Sequence, residues 1–341
     1  MKDLRFAIIG TGFWAQYQLA AWNELQGVKC VALCNRTRAK AEHLATRFGV
    51  PAVYDDAKEL LAREQLDFVD IITDVGTHAQ FVRLAAESGT PVICQKPMAP
   101  TLAGAKEMVS ICAHNGISLA IHENWRWQTP MRELKAALGS AVIGRVFRGR
   151  IDYCNSFPVF DNQPFLKTLD QFILTDIGSH ILDTARFLFG DARTLFCHTQ
   201  RVHHDIKGED VATVMMHMHS GATVTCNMSY ASCVEHDRFP ETFVFIEGEK
   251  GSIELAPDFW LRVTTKDGTH ARRCPPPFYS WADARYALVH SSIVACNSDL
   301  LRALQTGGPA ETNGQDNLKT VQLVFAAYDS AAKNEIIILN P

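Results

Sequence analysis

Two stretches of the chain carry side chains suited to moving a proton while a hydride leaves. Lys96 stands in Ile93-Cys94-Gln95-Lys96-Pro97, directly after an apolar run that reads as a buried strand. A lysine released at the carboxyl end of a strand in an open α/β sheet faces a bound ligand. Asp176 and His180 stand four apart in Thr175-Asp176-Ile177-Gly178-Ser179-His180-Ile181-Leu182-Asp183, where helical apolar spacing begins. On a helix that spacing gives one face, so a carboxylate and an imidazole can meet one substrate. Gly178 weakens a first helical turn and suggests close approach by another group. Oxidising an alcohol needs such a set. An imidazole titrates near ~6.5, so His180 can take the hydroxyl proton, Asp176 can orient the ring, and Lys96 can hydrogen-bond the oxygen as negative charge develops.

These groups need a hydride acceptor, and the amino terminus supplies the pattern for one. Leu4 to Ile9 is a strand-like run feeding Gly10-Thr11-Gly12 and then a helix-compatible stretch through Phe13, Trp14, Ala15, Leu19 and Trp22. Gly10 permits the turn, Gly12 lets a pyrophosphate approach, and the N–H groups at Phe13 and Trp14 open a helix whose positive end faces the phosphates. A second strand, Val28 to Cys34, follows at the right distance and ends in Asn35-Arg36-Thr37-Arg38. No carboxylate stands there for the adenosine ribose, so geometry leans towards NADP, although Asn35 could bond a ribose hydroxyl while Arg36 stacks on adenine. The preference between NAD and NADP stays open on these residues.

The elements that position these groups alternate strand and helix over the first 122 residues. After the first unit come a helix Ala39 to Phe48, a short strand Ala52 to Tyr54, a helix through Leu60 and Leu61, and a buried strand Asp67 to Thr73. Thr73 and Asp74 end that strand where the nicotinamide half of a dinucleotide would lie, and His78 opens the next helix, to Ser88. Pro91 to Cys94 then delivers Gln95 and Lys96 to the same edge. A helix Ala103 to Asn115 and a strand Ile117 to His122 complete a doubly wound parallel sheet.

Beyond His122 the pattern changes. Strand-like segments at Arg145 to Tyr153, Leu195 to Val202, Ala212 to His219, Ala222 to Tyr230, Glu241 to Glu247 and Ser252 to Leu255 suggest a large, mostly antiparallel sheet. Two long helical patterns, Tyr286 to Gln305 and Asp316 to Lys333, and an apolar Ile336 to Leu339 close the chain. Two domains follow: 1–122 for the dinucleotide, and 123–341 for substrate and self-association, with the last helices free to pack back on the first. Trp125 and Arg126 in the crossover, with Asn155, Asp161, Asn162 and Gln163, offer apolar walls and polar groups for a sugar. Trp125 could equally be core, and Arg126 could serve the ligand or a salt bridge.

Composition sets the outer bounds. The chain has 341 residues, 47% of them hydrophobic, and a formal charge of -4 without a basic stripe, which argues against a nucleic-acid partner. No signal peptide and no run of about twenty apolar residues is present, so a cytoplasmic protein without a membrane partner is expected. Ten cysteines form no Cys-x-x-Cys pair, and Cys30, Cys34, Cys94, Cys112 and Cys226 read as buried small hydrophobes. His203-His204 and His217-Met218-His219 lack a ligand cluster at metal spacing, so no metal is expected.

Gly10-Thr11-Gly12, Gln95-Lys96-Pro97 and Asp176 to Asp183 together resemble the family of glucose–fructose oxidoreductase, inositol dehydrogenase and the rhizopine-catabolism oxidoreductases. The family's Glu-Lys-Pro appears here with Gln95, and its Asp-x-Gly-x-His-x-x-Asp is intact. The resemblance implies an amino-terminal Rossmann domain and a carboxyl-terminal α/β domain whose open sheet often serves oligomerisation, here a dimer or tetramer. Within the family, His122 to Pro130 and Asn155 to Phe165 are most similar to the D-apiose dehydrogenases. That implies NAD as cofactor and oxidation of a branched pentose at its anomeric carbon. Two rivals remain: a glycoside hydrolase assisted by bound NAD, and a nucleotide-bound sensor without turnover.

Overall fold

The computed structural model describes residues 3–235 and 238–339, and the chain divides into two compact units: 1–124 with 278–321, and 125–277 with 322–341. The first unit begins with β1 (Leu4–Ile9), α1 (Ala15–Asn23), β2 (Val28–Cys34), α2 (Arg38–Phe48), β3 (Ala52–Tyr54) and α3 (Ala57–Arg63). It continues with β4 (Phe68–Ile71), α4 (His78–Glu87), β5 (Val92–Gln95), α5 (Leu102–His114) and β6 (Leu119–His122). The six strands pair in parallel in the order β3-β2-β1-β4-β5-β6. That order reverses between β1 and β4, the switch point at which such sheets bind ligands beyond their carboxyl ends. Phe6 to Ile9, all of β4 and all of β5 are buried, which is why these strands read as near-continuous apolar runs, broken by Asp70 and Gln95. Thr101 starts α5 by accepting from Gly104 N–H at 3.1 Å, and Asp56 caps α3 through Lys58 N–H at 2.7 Å.

In the second unit α6 (Thr129–Gly139) follows the crossover. Next come β7 (Val146–Cys154), the short α7 (Val159–Asn162) and α8 (Ile173–Asp176), α9 (Gly178–Phe189), β8 (Ala192–Gln200), β9 (Val211–Met218) and β10 (Thr223–Ser229). The remaining strands of the run are β11 (Phe243–Gly248), β12 (Gly251–Ala256), β13 (Trp260–Thr265) and β14 (Gly268–Arg273). Then α10 (Ala287–Thr306) belongs to the first unit, α11 (Gly314–Lys333) is divided after Val321, and β15 (Ile337–Ile338) ends the chain. The sheet has nine strands, ordered β14-β13-β12-β11-β7-β10-β9-β8-β15. All pairs are antiparallel except β7 with β10. Along β9, Ala212, Val214, Met216 and Met218 are buried while Thr213, Met215 and His217 face outward, the period of two that a half-covered sheet imposes.

Within the first unit α10 packs along α1, with Ala21, Ile293 and Val294 buried together beneath Trp14, Tyr17, Tyr279 and Trp281. The ten cysteines form no disulfide, and the five expected in the core are buried there. Among the described residues no helix is long and apolar enough to cross a membrane, and no three potential ligands gather around a metal position.

Candidate active site

The first unit gathers its chemistry at the carboxyl edge of its sheet. Gly10 has φ of +101°, and a Cβ there would lie 2.5 Å from the Ile72 carbonyl oxygen, so only glycine lets β1 turn this close to the end of β4. Its N–H donates to Cys34 O at 2.8 Å. Gly12 is exposed with open space around it, and Phe13 beside it is 74% exposed. Two polar atoms at this turn, Thr11 Oγ1 and Trp14 Nε1, are buried without a protein partner. A glycine turn, a helix start and an orphaned hydroxyl fit a dinucleotide's phosphates.

Asn35 holds the turn itself. Its Oδ1 accepts from Thr11 N–H at 3.2 Å and its Nδ2 donates to Thr37 O at 3.1 Å, so the carboxamide ties the glycine turn to the end of β2. Arg36 is exposed next to it. At the end of β4, Thr73 is half-buried and accepts from Thr77 Oγ1 at 2.8 Å, while Asp74 is exposed.

His78 is 1% exposed, with Nε2 3.0 Å from Thr73 O and Nδ1 3.1 and 3.2 Å from Pro97 O and Met98 O. Burial holds it below the usual histidine value, and the surrounding carbonyls offset part of that push. The ring lies between the loop after Lys96 and the end of β4, and as a neutral imidazole it donates to the carbonyls on one side only. Lys96 is half-buried, its N–H bonded to Gln95 Oε1 at 3.1 Å.

The second unit builds around the α8–α9 junction. Asp176 ends α8 and His180 lies in the first turn of α9, with Ile177 between the helices still in the helical region. The close approach expected at Gly178 comes from the chain itself, since a Cβ there would sit 3.3 Å from Ile173 O and 3.4 Å from Leu174 Cδ2. Glu209 anchors the start of α8: its carboxylate accepts from the N–H groups of Phe172 and Leu174, each at 3.2 Å, and from Tyr328 Oη at 2.7 Å. Tyr230 Oη donates to Asp176 Oδ2 at 3.2 Å, and burial with the neighbouring Tyr153 and Asp176 drives its hydroxyl well up, so it stays protonated. His180, 4% exposed, lies under the Trp125 ring at 4.4 Å between centroids and 22° between planes. Trp125 Nε1 donates to Thr242 Oγ1 at 3.1 Å.

The other residues proposed for the sugar are placed less directly. Arg126 grips the buried Asp183 with Nε and Nη2 at 2.7 and 2.6 Å, so its guanidinium serves an ion pair. Asn155 is buried and its Oδ1 accepts from Phe157 N–H at 3.0 Å, closing a local turn. Asp161 and Gln163 are exposed, and the side chain of Asn162 lies outside the described structure. His203 pairs with Asp210, and His217 is exposed. Tyr230, Glu209 and Tyr328 carried no signal in the sequence, because their partners lie 54, 35 to 37 and 119 residues away.

A doubly wound sheet with a glycine turn at its switch point, carried by a chain with a second large sheet, defines a nicotinamide-dependent oxidoreductase of two domains. The chain belongs to the Gfo/Idh/MocA family: residues 4–122 match the oxidoreductase family with NAD-binding Rossmann fold, and residues 131–254 match the GFO/IDH/MocA C-terminal domain. It is 40% identical over 339 residues to D-apiose dehydrogenase of Paraburkholderia graminis, covering 99% of this chain and 90% of that one. It is 41% identical over 337 residues to D-apiose dehydrogenase of Rhizobium rhizogenes, covering 99% and 98%. An oxidoreductase from Agrobacterium radiobacter, solved with NAD+, L-tartaric acid and magnesium, superposes with a TM-score of 0.97 at 41% identity, covering 99% and 98%. Levoglucosan dehydrogenase shares the fold, with a TM-score of 0.87 at 20% identity.

Proposed function

We propose that the protein is an NAD-dependent sugar dehydrogenase that oxidises an aldose at its anomeric carbon to the lactone, with D-apiose as its sugar. The observation that carries this reading is His180 packed under Trp125, in a chain 40% and 41% identical along its length to two D-apiose dehydrogenases. NAD supplies the hydride acceptor. The Gly10 turn, Thr11 Oγ1 and the start of α1 would hold its phosphates, and Thr73 and Asp74 would stand towards its nicotinamide. His180 takes the anomeric hydroxyl proton on a ring nitrogen, Asp176 orients the imidazole, and Tyr230 fixes Asp176. Lys96 donates to the same oxygen as charge develops on it. Trp125, buried and stacked on His180, holds the face of the imidazole.

The test is reduction of NAD and of NADP, separately, by the purified protein with D-apiose, other aldoses, cyclitols and disaccharides. Saturable reduction of NAD by D-apiose is expected. Reduction by none of them, or glycoside cleavage dependent on bound cofactor without net reduction, would reject the reading.

Two further properties belong to the proposal. A cytoplasmic location is supported by ten cysteines that form no disulfide, most of them buried. A homo-oligomer is supported by the outward row Phe196, Met215, Thr225, Arg150 and Phe245, which crosses five adjacent strands with Met215 exposed. Light scattering in solution tests it.

A further inference from the structure

A buried chain of polar side chains runs through the first unit, and one end sets its direction. Asp70, in β4 and wholly buried, accepts from Gln18 Nε2 at 2.8 and 2.7 Å and from Trp22 Nε1 at 2.8 Å. The carboxylate takes the amide nitrogen of Gln18, which leaves its Oε1 to accept, and Gln95 Nε2 donates to that oxygen. The same nitrogen lies 3.3 Å from His122 Nδ1, while Gln95 Oε1 accepts the N–H of Lys96. With its Nδ1 accepting, His122 carries its proton on Nε2, 2.9 Å from Asn297 Oδ1. Five elements contribute: α1, β4, β5, β6 and α10. Asp70 also faces the thiols of Cys30 on β2 and Cys94 on β5, both pushed up by burial and so uncharged.

Above the value of about 7 to which burial pushes it, Asp70 is ionised and each link reads one way. A carboxylate at position 95 would set acceptor against acceptor at Gln18 Oε1. Turning Gln18 over would relieve that contact and recreate it at Asp70. A buried mismatch of this kind cannot be left to water.

We propose that Asp70, Gln18 and Gln95 are positioning residues for Lys96, and that the carboxylate at position 70 is the reason an amide stands at position 95. Gln95 holds the Lys96 main chain through Oε1 only while its nitrogen points at Gln18. Moving the carboxylate from 70 to 95 reverses the chain as a whole: Gln18 turns over and donates to position 95, and His122 shifts its proton to Nδ1. The inference rests on the dehydrogenase reading only for the use made of Lys96.

The experiment compares the full-length wild type, Asp70→Asn, Gln95→Glu and the double variant. It measures kcat and KM for the sugar, NAD affinity, and the His122 tautomer by NMR of protein labelled with nitrogen-15 histidine. Each single substitution is expected to lower kcat at least tenfold with NAD affinity within threefold. The double variant should recover kcat to within threefold of wild type and carry its His122 proton on Nδ1. Losses that multiply in the double, or a His122 that stays protonated on Nε2 there, would overturn the proposal. A single variant that fails to fold while the double folds supports it, and a double that also fails overturns it. The tautomer needs no turnover, so a wild type inactive on every sugar would sink the substrate reading and leave this test standing.

Discussion

Replacing Arg126 by methionine removes half of a buried ion pair, and the expected loss follows from what is left behind. Asp183 is wholly buried and takes both donors of the guanidinium at 2.7 and 2.6 Å. Methionine keeps much of the aliphatic stem, so the cost is mainly that of an uncompensated carboxylate, ~3–5 kcal/mol for a buried pair. Arg186 Nη1, 3.9 Å from Asp183 Oδ1, supplies partial compensation, which puts the expectation near ~3 kcal/mol. At ~2–4 °C per kcal/mol for a domain of ~150–250 residues, the calorimetric transition of the second unit should fall by roughly 6–12 °C. Adding Asp183→Leu should recover most of the loss, because an apolar pair leaves no buried charge. The sugar KM of Arg126→Met, measured well below its transition, should stay within about threefold of wild type. A transition within about 2 °C of wild type, together with a KM raised tenfold or more, would refute the reasoning and assign the guanidinium to the sugar.

Lys96→Met should lower kcat by ~10²–10³, the scale for removing a preorganised donor, while a calorimetric titration finds NAD affinity within twofold; unchanged turnover would remove Lys96 from the chemistry. Gly10→Ala puts a Cβ 2.5 Å from Ile72 O at a φ of +101°, so NAD affinity should fall at least tenfold and urea unfolding should show a loss of ~1–3 kcal/mol. Burial pushes the Asp70 carboxyl up to about 7, with the Trp22 and Gln18 donors pulling against it. Because its folded value lies above the unfolded ~3.9, folding takes up a proton in that window, and the contribution of Asp70 to stability declines as pH rises through it. The stability of wild type relative to Asp70→Asn should therefore fall by ~2–3 kcal/mol between pH ~5 and ~8 in urea titrations; a difference independent of pH would contradict it.

Much of the fold was legible because burial writes itself into residue order. In the first unit β1, β4 and β5 are mostly apolar without alternation, and Gly10 follows β1 as Asn35 follows β2. In the second, the burial of β9 alternates regularly, although apolar Val211 and Met215 on its outward face blur that period in the sequence. The strands β13 and β14 escaped because β14, Gly268–Arg273, is exposed along its whole length and buries nothing that would mark a period. Helix α6 escaped for a related reason: its buried residues are Pro130, Met131 and Leu134, too few to display a stripe, although Pro130 in its first turn was a usable start signal.

The candidate site was legible where a residue type carries its own chemistry, and illegible where a role depends on a partner. Lys96 at a strand end and the Asp176 to His180 spacing announce themselves. Arg126 does not, since the same guanidinium suits a sugar or a carboxylate, and its ion-pair partner Asp183 stands 57 residues later. Asn35 could bond a ribose hydroxyl, and only the fold shows that its carboxamide also ties Thr11 to Thr37. Asp70 was visible as the one charge inside Phe68-Val69-Asp70-Ile71, and Gln95 as a departure from the family's glutamate. Each looks like an isolated oddity in one dimension. Gln18, seated between them in the fold, makes them a single fact, because a buried amide has one donor end and one acceptor end and cannot satisfy two carboxylates at once.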